Sequence, residues 1–367
     1  MQKQNELESR ERILVTGGCG FIGTNYIHKQ LIHSFRSVIN LDKCTYAANP
    51  QNLAGCTDVE RYTLVQGDIC DRELLDYLLQ THRPSAIIHF AAESHVDRSI
   101  TGPKAFVDTN ILGTFQLLQA ARDYWSKLTA PGREDFRFLH VSTDEVFGSL
   151  GQDERGFHEK TPYSPNSPYS ASKAASDHMV RAYQQTYGLP TLTTNCSNNH
   201  GPFQFPEKLI PLVIRRAING ESLPIYGDGM NIRDWLFVGD HCSAIDSVLA
   251  NGVPGETYNI GGNSERTNRQ VVQTLCTLLD ELAPTTSGRS YSEQITFVKD
   301  RPGHDRRYAV DASKILRELG WQPSCTFEQG MRRTVNWYLQ NNAWLESIAS
   351  GDYLNWIASN YEQRCSQ

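Results

Sequence analysis

The stretch that decides the fold is Arg12-Ile-Leu-Val-Thr16 followed by Gly17-Gly18-Cys19-Gly20-Phe21-Ile22-Gly23. The first five residues are mostly apolar and β-branched, which predicts a buried strand. The glycines predict a tight turn, and Thr24–Phe35 is typical of a helix. Strand, glycine-rich turn and helix in this order predict a phosphate-binding loop, because the first N–H groups of a helix point at a bound anion.

The same alternation continues through the first half of the chain. Further strands are predicted at Ser37–Asp42, Tyr62–Gln66, Ser85–Ala91, Arg137–Ser142 and Thr191–Asn195. The helices predicted between or after them are Arg72–His82, Pro103–Tyr124 and Ser167–Tyr187. Strands and helices that alternate in this way predict an α/β fold, here a Rossmann-like doubly wound parallel sheet.

The second half is less regular and predicts a smaller, mixed α/β C-terminal lobe. Helices are predicted at Pro206–Asn219, Asp240–Ala250, Asn268–Leu282 and Phe327–Leu339. Short strands are predicted at Leu223–Tyr226, Asp234–Val238, Glu256–Ile260 and Ile295–Lys299. Since no linker separates the halves, we expect a ligand site between them.

Composition excludes several classes of protein. The 367 residues are 39% hydrophobic and 21% charged with a net charge of −6, which is typical of a globular chain and argues against nucleic acid as the main partner. No apolar run has the length of a membrane helix, and Met1–Arg12 lacks the apolar centre of a signal peptide. The 9 cysteines form no CxxC pair and no metal-like spacing, so we expect reduced thiols in a cytoplasmic protein and no metal site.

The glycine loop and the next strand end together predict a dinucleotide. Gly17 permits the turn, Gly20 lets the backbone approach a pyrophosphate, and Gly23 lets helix and strand pack closely. Asp42 ends the second strand about 20 residues later, where a carboxylate accepts hydrogen bonds from ribose hydroxyls and repels a 2′-phosphate. This favours NAD over NADP. Lys43, the next residue, is the one feature that favours NADP. The alternative is that Lys43 is a solvated loop lysine.

These segments define the expected domains. Residues 1–11 are predicted to be a disordered extension. Residues 12–200 are expected to form the NAD-binding domain, to which residues 234–262 return. Residues 201–233 and 263–367 are expected to form the substrate lobe.

Tyr169 and Lys173 are the first candidate catalytic pair. Positions i and i+4 share one face of the predicted helix, so the phenol and the ammonium lie on the same side. A nearby cation favours the phenolate, which makes Tyr169 a candidate base for a substrate hydroxyl. Thr143, at the end of the strand Arg137–Ser142, is placed to steer that hydroxyl. Such a Tyr-x-x-x-Lys match alone is also typical of an exposed helix face.

Asp144 and Glu145 follow Thr143 directly and extend the chemistry. A carboxylic acid beside a carboxylate permits loss of water next to a ketone, since burial and proximity separate the pKa values of such a pair. Successive strand residues face opposite ways, so both side chains reach one site only if the chain leaves extended geometry here. We predict that it does. The alternatives are a solvated loop or a helix N-terminus.

The Gly-x-x-Gly-x-x-Gly spacing resembles the extended short-chain dehydrogenase/reductase superfamily. Four further blocks narrow the resemblance to the dTDP-glucose 4,6-dehydratase family over nearly the whole chain: Thr143-Asp144-Glu145, Ala92-Glu93-Ser94-His95-Val96-Asp97, Cys196-Ser197-Asn198-Asn199 and Arg301-Pro302-Gly303-His304-Asp305. The resemblance implies Asp144 as acid on the C6 hydroxyl, Glu145 as base on C5, Tyr169 as base on the C4 hydroxyl, and Thr143 as its assistant.

The resemblance also implies two sets of binding residues. The cofactor contacts would be Gly17, Gly20, Phe21, Ile22, Gly23, Asp42, Lys43, Thr45, Asp68, Ile69, Phe90, Ala91, Ala92, Ser94, Thr109, Tyr169, Lys173 and Asn199. The substrate contacts would be Ser94, Thr143, Asn198, Lys208, Leu209, Pro224, Ile225, Tyr226, Arg233, Asn268, Asp300, Arg301, Pro302, Gly303 and His304. His200, where the family usually carries tyrosine, and Cys19, where it usually carries alanine, are departures that remove no catalytic group.

Rival functions remain open from the sequence. A sugar-nucleotide 4-epimerase or a UDP-glucuronate decarboxylase would share the NAD loop and the Tyr169–Lys173 pair but would not need acid at 144 with base at 145. A GDP-mannose dehydratase would prefer NADP, against which Asp42 argues. A non-catalytic NAD-sensing module would have no reason to keep the five catalytic candidates together. The superfamily resemblance further suggests a homodimer built through Pro103–Tyr124 and Ser167–Tyr187.

Overall fold

The computed structural model describes residues 11–55, 60–300 and 303–348. Its centre is a seven-stranded sheet of order β10-β6-β5-β4-β1-β2-β3 in which every neighbouring pair is parallel. These strands are β1 Arg12–Thr16, β2 Ser37–Asp42, β3 Tyr62–Gln66, β4 Ala86–His89, β5 Arg137–Thr143, β6 Thr191–Cys196 and β10 Thr257–Ile260. The Rossmann-like doubly wound sheet predicted from the sequence is confirmed.

The strand order reverses beside β1. The chain runs outward through β2 and β3, then returns to place β4 on the other side of β1. In such sheets the carboxyl ends of the strands at the reversal leave a crevice between the two series of crossover helices. The loops after β1, β4, β5 and β6 therefore meet at one edge of the sheet.

Alternating side chains of the strands supply two cores, one on each face. Ile13 and Val15 pack into a cluster with the helix Val238–Asn251, whereas Leu14 packs into a second cluster with Leu117. The second cluster lies against the helices Arg72–His82 and Thr114–Trp125. A sheet covered on both faces explains the near-continuous apolar runs of its central strands β1 and β4.

The helices cover both faces and the C-terminal part. They are Phe21–His33, Arg72–His82, Val96–Thr101, Pro103–Phe106, Thr114–Trp125, Ala130–Asp135, Pro168–Tyr187, Leu209–Ile218, Val238–Asn251, Asn268–Leu282, Ser313–Leu319, Phe327–Gln340 and Asn342–Ile348. Short 3₁₀ turns span Pro50–Leu53, Asp144–Phe147 and Tyr291–Gln294. None of the helices in the described ranges combines the length and apolarity of a bilayer-crossing segment.

Several predicted helices differ in detail, and the one expected over Pro206–Asn219 begins only at Leu209. The first begins at Phe21 rather than Thr24, because Gly20 is extended (φ −79°, ψ 176°) and helical geometry starts directly after it. The single helix expected over Pro103–Tyr124 contains a π-helical segment, Val107–Gly113. Ser176 Oγ donates to the Asn110 carbonyl at 2.6 Å, which satisfies an acceptor within this widened turn.

The C-terminal part builds a separate core. Its sheets are β11-β9-β7, comprising β7 Asn198–His200, β9 Ile232–Phe237 and β11 Glu265–Thr267, and β12-β8, comprising β8 Leu223–Tyr226 and β12 Ile295–Val298. A third apolar cluster joins Val213, Val271 and Val335 of three helices to Leu223 of β8. Ile315, by contrast, packs into the core of the large sheet. The predicted domain boundaries stay a prediction, and the expected extension over residues 1–11 lies outside the described residues except for Glu11.

Candidate active site

One elongated cleft runs along the carboxyl ends of β1, β2, β4, β5 and β6. All the cofactor residues predicted from the sequence line it: Gly17, Gly20, Phe21, Ile22, Gly23, Asp42, Lys43, Thr45, Asp68, Ile69, Phe90, Ala91, Ala92, Ser94, Thr109, Tyr169, Lys173 and Asn199. Thr143, Asp144 and Glu145 line the same cleft. The fold therefore joins the nucleotide loop to the candidate catalytic groups.

The glycine loop is too tightly packed for side chains at three of its positions, Gly17, Gly18 and Gly23. Gly17 has φ +75°, and a Cβ there would lie 2.6 Å from the backbone nitrogen of Ala91. A Cβ at Gly23 would lie 2.4 Å from the Gly17 carbonyl oxygen. Gly20 has more room, since its nearest neighbour would be 3.4 Å away. Gly20 also provides no side-chain cap, so the first-turn amides remain for a phosphate.

Asp42, the last residue of β2, lines the cleft next to the glycine loop. Its carboxylate accepts hydrogen bonds from the backbone N–H of Cys19 at 2.8 Å and of Cys44 at 2.7 Å. Burial raises the pKa of Asp42, and these backbone hydrogen bonds oppose that rise. Lys43 forms an ion pair with Asp68 at 2.7 Å, so this lysine is held at the cleft edge by a carboxylate.

The turn after β5 brings the two acids to the same cleft. The strand ends at Thr143, and Asp144–Phe147 form a 3₁₀ turn. The Thr143 hydroxyl caps this turn by accepting a hydrogen bond from the Glu145 N–H at 3.3 Å. The predicted departure from extended geometry at Asp144 and Glu145 is confirmed.

Asp144 is buried, and its surroundings favour the protonated form. Burial is the main cause that raises its pKa well above the usual carboxyl value, and the charges of Glu145 and Asp234 add to the rise. Thr143 Oγ1 donates to Asp144 Oδ1 at 3.3 Å. Asp144 Oδ2 is buried and has no hydrogen-bond partner among the described residues. The turn therefore places an acid with a raised pKa, Asp144, beside a second carboxyl group, that of Glu145.

Tyr169 and Lys173 lie on the helix Pro168–Tyr187, which we call the Tyr169 helix. Its first turn is fixed by a capping box between Ser167 and Ser170. Lys173 Nζ donates to the Val141 carbonyl on β5 at 2.9 Å. The lysine thus fixes the Tyr169 helix to the strand that carries Thr143.

Burial controls the protonation of this pair. It raises the pKa of the Tyr169 phenol well above the usual value, and the charge of Glu145 raises it further, while a hydrogen bond with Thr143 opposes the rise. Burial also lowers the pKa of Lys173, against the charge of Asp177. The sequence predicted that Lys173 would favour the phenolate, but in the protein alone burial dominates and the phenol stays neutral.

The predicted substrate residues divide into two groups. Ser94, Thr143, Asn198 and Lys208 line the cleft, where Lys208 Nζ donates to the Ser94 carbonyl at 2.8 Å. Those outside its lining are Leu209, Pro224, Ile225, Tyr226, Arg233, Asn268, Asp300, Gly303 and His304. Arg301 and Pro302 lie outside the described residues.

Three residues of the second group nevertheless come together. The rings of Tyr226 and His304 are 6.1 Å apart, and His304 Nδ1 lies 2.6 Å from Asp300 Oδ1.

Arg233 lies over the Tyr308 ring, and its charge lowers the pKa of Asp144. Arg233 therefore acts electrostatically on the catalytic turn even though it does not line the cleft.

Sequence reasoning missed an acidic residue in the cleft wall. Glu207 has a side chain only 1% exposed, pairs with Arg98 at 3.0 Å and accepts a hydrogen bond from the Tyr46 hydroxyl at 3.0 Å. Burial raises its pKa. Its partners are more than a hundred residues away in the chain, so no local pattern indicated that this glutamate would be buried.

Comparison with known proteins identifies the family. The family model described as GDP-mannose 4,6 dehydratase matches residues 14–334. A dTDP-glucose 4,6-dehydratase of Shigella flexneri is 56% identical over 96% of this chain and 99% of its own length. One from Xanthomonas campestris pv. campestris is 60% identical over 93% and 96%. The chain belongs to the dTDP-glucose 4,6-dehydratase family.

Solved structures support the same family. The dTDP-glucose 4,6-dehydratase of Streptomyces venezuelae, solved with NAD and TYD bound, is 46% identical with a TM-score of 0.83, covering 92% of this chain and 99% of its own. A Thermus thermophilus UDP-glucose 4-epimerase with NAD is 28% identical with a TM-score of 0.78, covering 90% and 99%. This chain thus shares its fold with an epimerase as well as with dehydratases.

Proposed function

We propose that this protein converts dTDP-glucose into dTDP-4-keto-6-deoxyglucose with bound NAD. The observation that carries the proposal is the turn after β5, which places the neutral acid Asp144 beside Glu145 in the same cleft as Tyr169. Besides the base for the C4 hydroxyl, which a 4-epimerase also needs, dehydration needs a base at C5 and an acid at C6. The family relationship supports the same reaction.

The cleft fits a dinucleotide. Gly17 and Gly23 exclude side chains, Gly20 leaves the helix N-terminus open to a pyrophosphate, and Asp42 faces the cleft where a ribose would lie. The predicted cofactor residues would hold NAD along this path. When bound, NAD accepts a hydride from the sugar C4 and returns it to C6. The carboxylate of Asp42 favours NAD over a cofactor with a 2′-phosphate.

The protein's own groups manage the protons. Tyr169 acts as a base only as the phenolate, which the ammonium of Lys173 and the positively charged nicotinamide ring of bound NAD would together favour against burial. The phenolate accepts the C4 hydroxyl proton as the sugar is oxidised, and Thr143 orients that hydroxyl. Oxidation at C4 acidifies the C5 proton, which Glu145 removes; a proton returns to C5 when the hydride is returned to C6. Asp144 gives its proton to the departing C6 hydroxyl, so water leaves. Its raised pKa keeps that proton available at neutral pH.

The substrate side is proposed from the resemblance. Asn198, Lys208 and Ser94 in the cleft, with the residues from β8, β9 and the segment Asp300 to His304, would bind the sugar nucleotide. Arginine and lysine suit a diphosphate because they donate charge-assisted hydrogen bonds. The domains would divide as predicted, with the substrate between the NAD-binding domain and the substrate lobe.

We further propose a homodimer that works in the cytoplasm. Val107 and Leu112 on the predicted dimer helix are 50% and 45% exposed, which supports a partner surface there. Cys19, Cys44 and Cys70 are free thiols, as expected in a reducing compartment.

A parallel product assay tests the proposed function. The NAD-loaded protein is incubated with dTDP-glucose, UDP-glucose or UDP-glucuronate, and the products are measured by mass spectrometry and NMR. We expect loss of one water and a new methyl group from dTDP-glucose. An isomer of unchanged mass would instead indicate an epimerase, loss of carbon dioxide from UDP-glucuronate a decarboxylase, and NAD binding without turnover a sensing module.

A further inference from the structure

Two cysteines and the ribose-facing aspartate form a cluster at the adenosine end of the cleft. The sulfur atoms of Cys19 and Cys44 and a carboxylate oxygen of Asp42 all lie within 4.8 Å of one another. Cys19 belongs to the glycine loop, whereas Asp42 and Cys44 end and follow β2. The spacing along the chain is not metal-like, so this cluster exists only because β1 and β2 are neighbours.

The positions are fixed by the backbone. Asp42 accepts hydrogen bonds from the N–H groups of both Cys19 and Cys44, which ties the three residues together. Asn40 Nδ2 donates to the Cys19 sulfur at 3.4 Å. Each carboxylate oxygen of Asp42 keeps a second lone pair for another partner. The three candidate ligand atoms are therefore arranged before any ion binds.

We propose that Cys19, Asp42 and Cys44 form a binding site for a thiophilic divalent cation, with Zn²⁺ as the natural candidate, that excludes NAD. Two thiolates and one carboxylate are a suitable zinc donor set, and a water beside Asp42, the only one of the three that lines the cleft, would complete four-coordination. Tetrahedral zinc with Zn–S bonds of about 2.3 Å separates two sulfurs by about 3.8 Å. The observed upper limit of 4.8 Å thus requires a movement of no more than about 1 Å.

Binding at this site displaces protons. A cation that binds both sulfurs releases both thiol protons to solvent, and its affinity therefore rises with pH. The two thiolates neutralise the charge of the divalent ion. Asp42 binds the ion as the same carboxylate that is proposed to accept the ribose hydroxyls.

Competition with NAD follows from the shared carboxylate. Asp42 lines the cleft and is the residue proposed to accept the ribose hydroxyls. A cation bound to Asp42 leaves no room for those hydroxyls and places positive charge where the sugar would lie. This part of the inference rests on the proposed cofactor site, whereas metal binding itself does not.

Cobalt provides a direct readout of thiolate ligation. NAD-free protein, kept reduced with a phosphine and with its free thiols counted, is titrated with Co²⁺ and then with Zn²⁺. We expect near-ultraviolet thiolate-to-cobalt absorption that saturates at one ion per chain and is abolished by Zn²⁺. Cys19→Ala and Cys44→Ser should each weaken binding by more than about 100-fold, since even the loss of outer-shell partners weakens metal sites about 10- to 100-fold.

Cys325→Ser is the matched control, because this half-buried free thiol lies outside the cluster. It should bind Co²⁺ as the parent does, and thermal unfolding checks that all variants are folded. Absence of the absorption, or its persistence in either cluster variant, overturns the site. Equal Co²⁺ affinity in NAD-saturated protein overturns the exclusion of NAD. Direct NAD titration of the metal-free sample tests the cofactor site separately.

Discussion

At the scale of single residues, the environment of one carboxyl group suits it to the proposed role of acid. Asp144 is 2% exposed, lies beside Glu145 and Asp234, and keeps one oxygen without a partner among the described residues. Leaving a buried acceptor unpaired costs about 1–3 kcal/mol. A substrate hydroxyl that binds there would recover this free energy during the reaction.

Asp144→Asn should separate oxidation from elimination. Asparagine has nearly the same shape but no carboxylic proton to give to the C6 hydroxyl. We expect C4 oxidation to continue, seen as NADH absorbance in a single turnover, while product formation falls by about 10²- to 10⁴-fold. Thr143→Ser, which keeps the hydroxyl, is the control. Equal loss of both steps would contradict the assigned role.

The stability of the protein should also record the state of Asp144. Its folded pKa is raised above the unfolded value of about 3.9, so the native state binds more protons between those two values. The neutral acid therefore stabilises the fold fully below about pH 3.9, and this contribution is lost as pH rises through the folded pKa. Thermal unfolding of Asp144→Asn between pH 5 and 8 should show a growing stability advantage over the parent. A constant difference would contradict this interpretation.

At the scale of elements, β5, the Tyr169 helix and the glycine loop hold the site in register. Asp177 on the Tyr169 helix accepts hydrogen bonds from His140 at 3.0 Å and Ser142 at 2.9 Å on β5, and from Tyr163 at 3.0 Å. This buried carboxylate also raises the pKa of Lys173 against the effect of burial. Asp177 thus connects β5, which leads into the turn of Asp144 and Glu145, to the Tyr169 helix.

Asp177→Asn should shift the pH dependence of activity. Without the Asp177 charge, the pKa of Lys173 falls further, so the ammonium is lost at a lower pH than in the parent. We expect the high-pH decline of kcat to move to lower pH, with a loss of about 1–3 kcal/mol in unfolding free energy. Tyr163→Phe removes one hydrogen bond but no charge, and should lower stability without moving the decline. The same shift in both variants would contradict the electrostatic role.

Two glycine substitutions should fail for different reasons. Gly17→Ala forces alanine to φ +75° and within 2.6 Å of Ala91, so it should lose at least about 1–2 kcal/mol of stability. Gly20→Ala has ordinary dihedrals and 3.4 Å of clearance, so it should fold normally. It should nevertheless bind NAD more weakly, because its methyl group faces the pyrophosphate. Chemical denaturation and NAD titration distinguish the two, and a Gly20→Ala chain with unchanged NAD affinity would contradict the proposed loop contact.

At the scale of the whole molecule, the sequence predicted the features that depend on local pattern. Buried parallel strands are apolar runs, so β1 and β2 were placed to the residue, as was the half-exposed edge strand β3, and the acids after β5 followed from the strand end. The π-helical segment was not predicted, because it depends on Ser176 from another helix. The burial of Glu207 and the cysteine cluster likewise depend on residues distant in the chain.

We propose that one hydride leaves C4 and returns to C6 of the same sugar. Between these two events, Asp144 and Glu145 expel water. The most direct test is turnover of dTDP-glucose carrying deuterium at C4, with the methyl group of the product analysed by NMR and mass spectrometry. We expect one deuterium in the methyl group of each product molecule, and no exchange of deuterium between labelled and unlabelled substrate molecules. A methyl group free of deuterium, or label passed between substrate molecules, would contradict it.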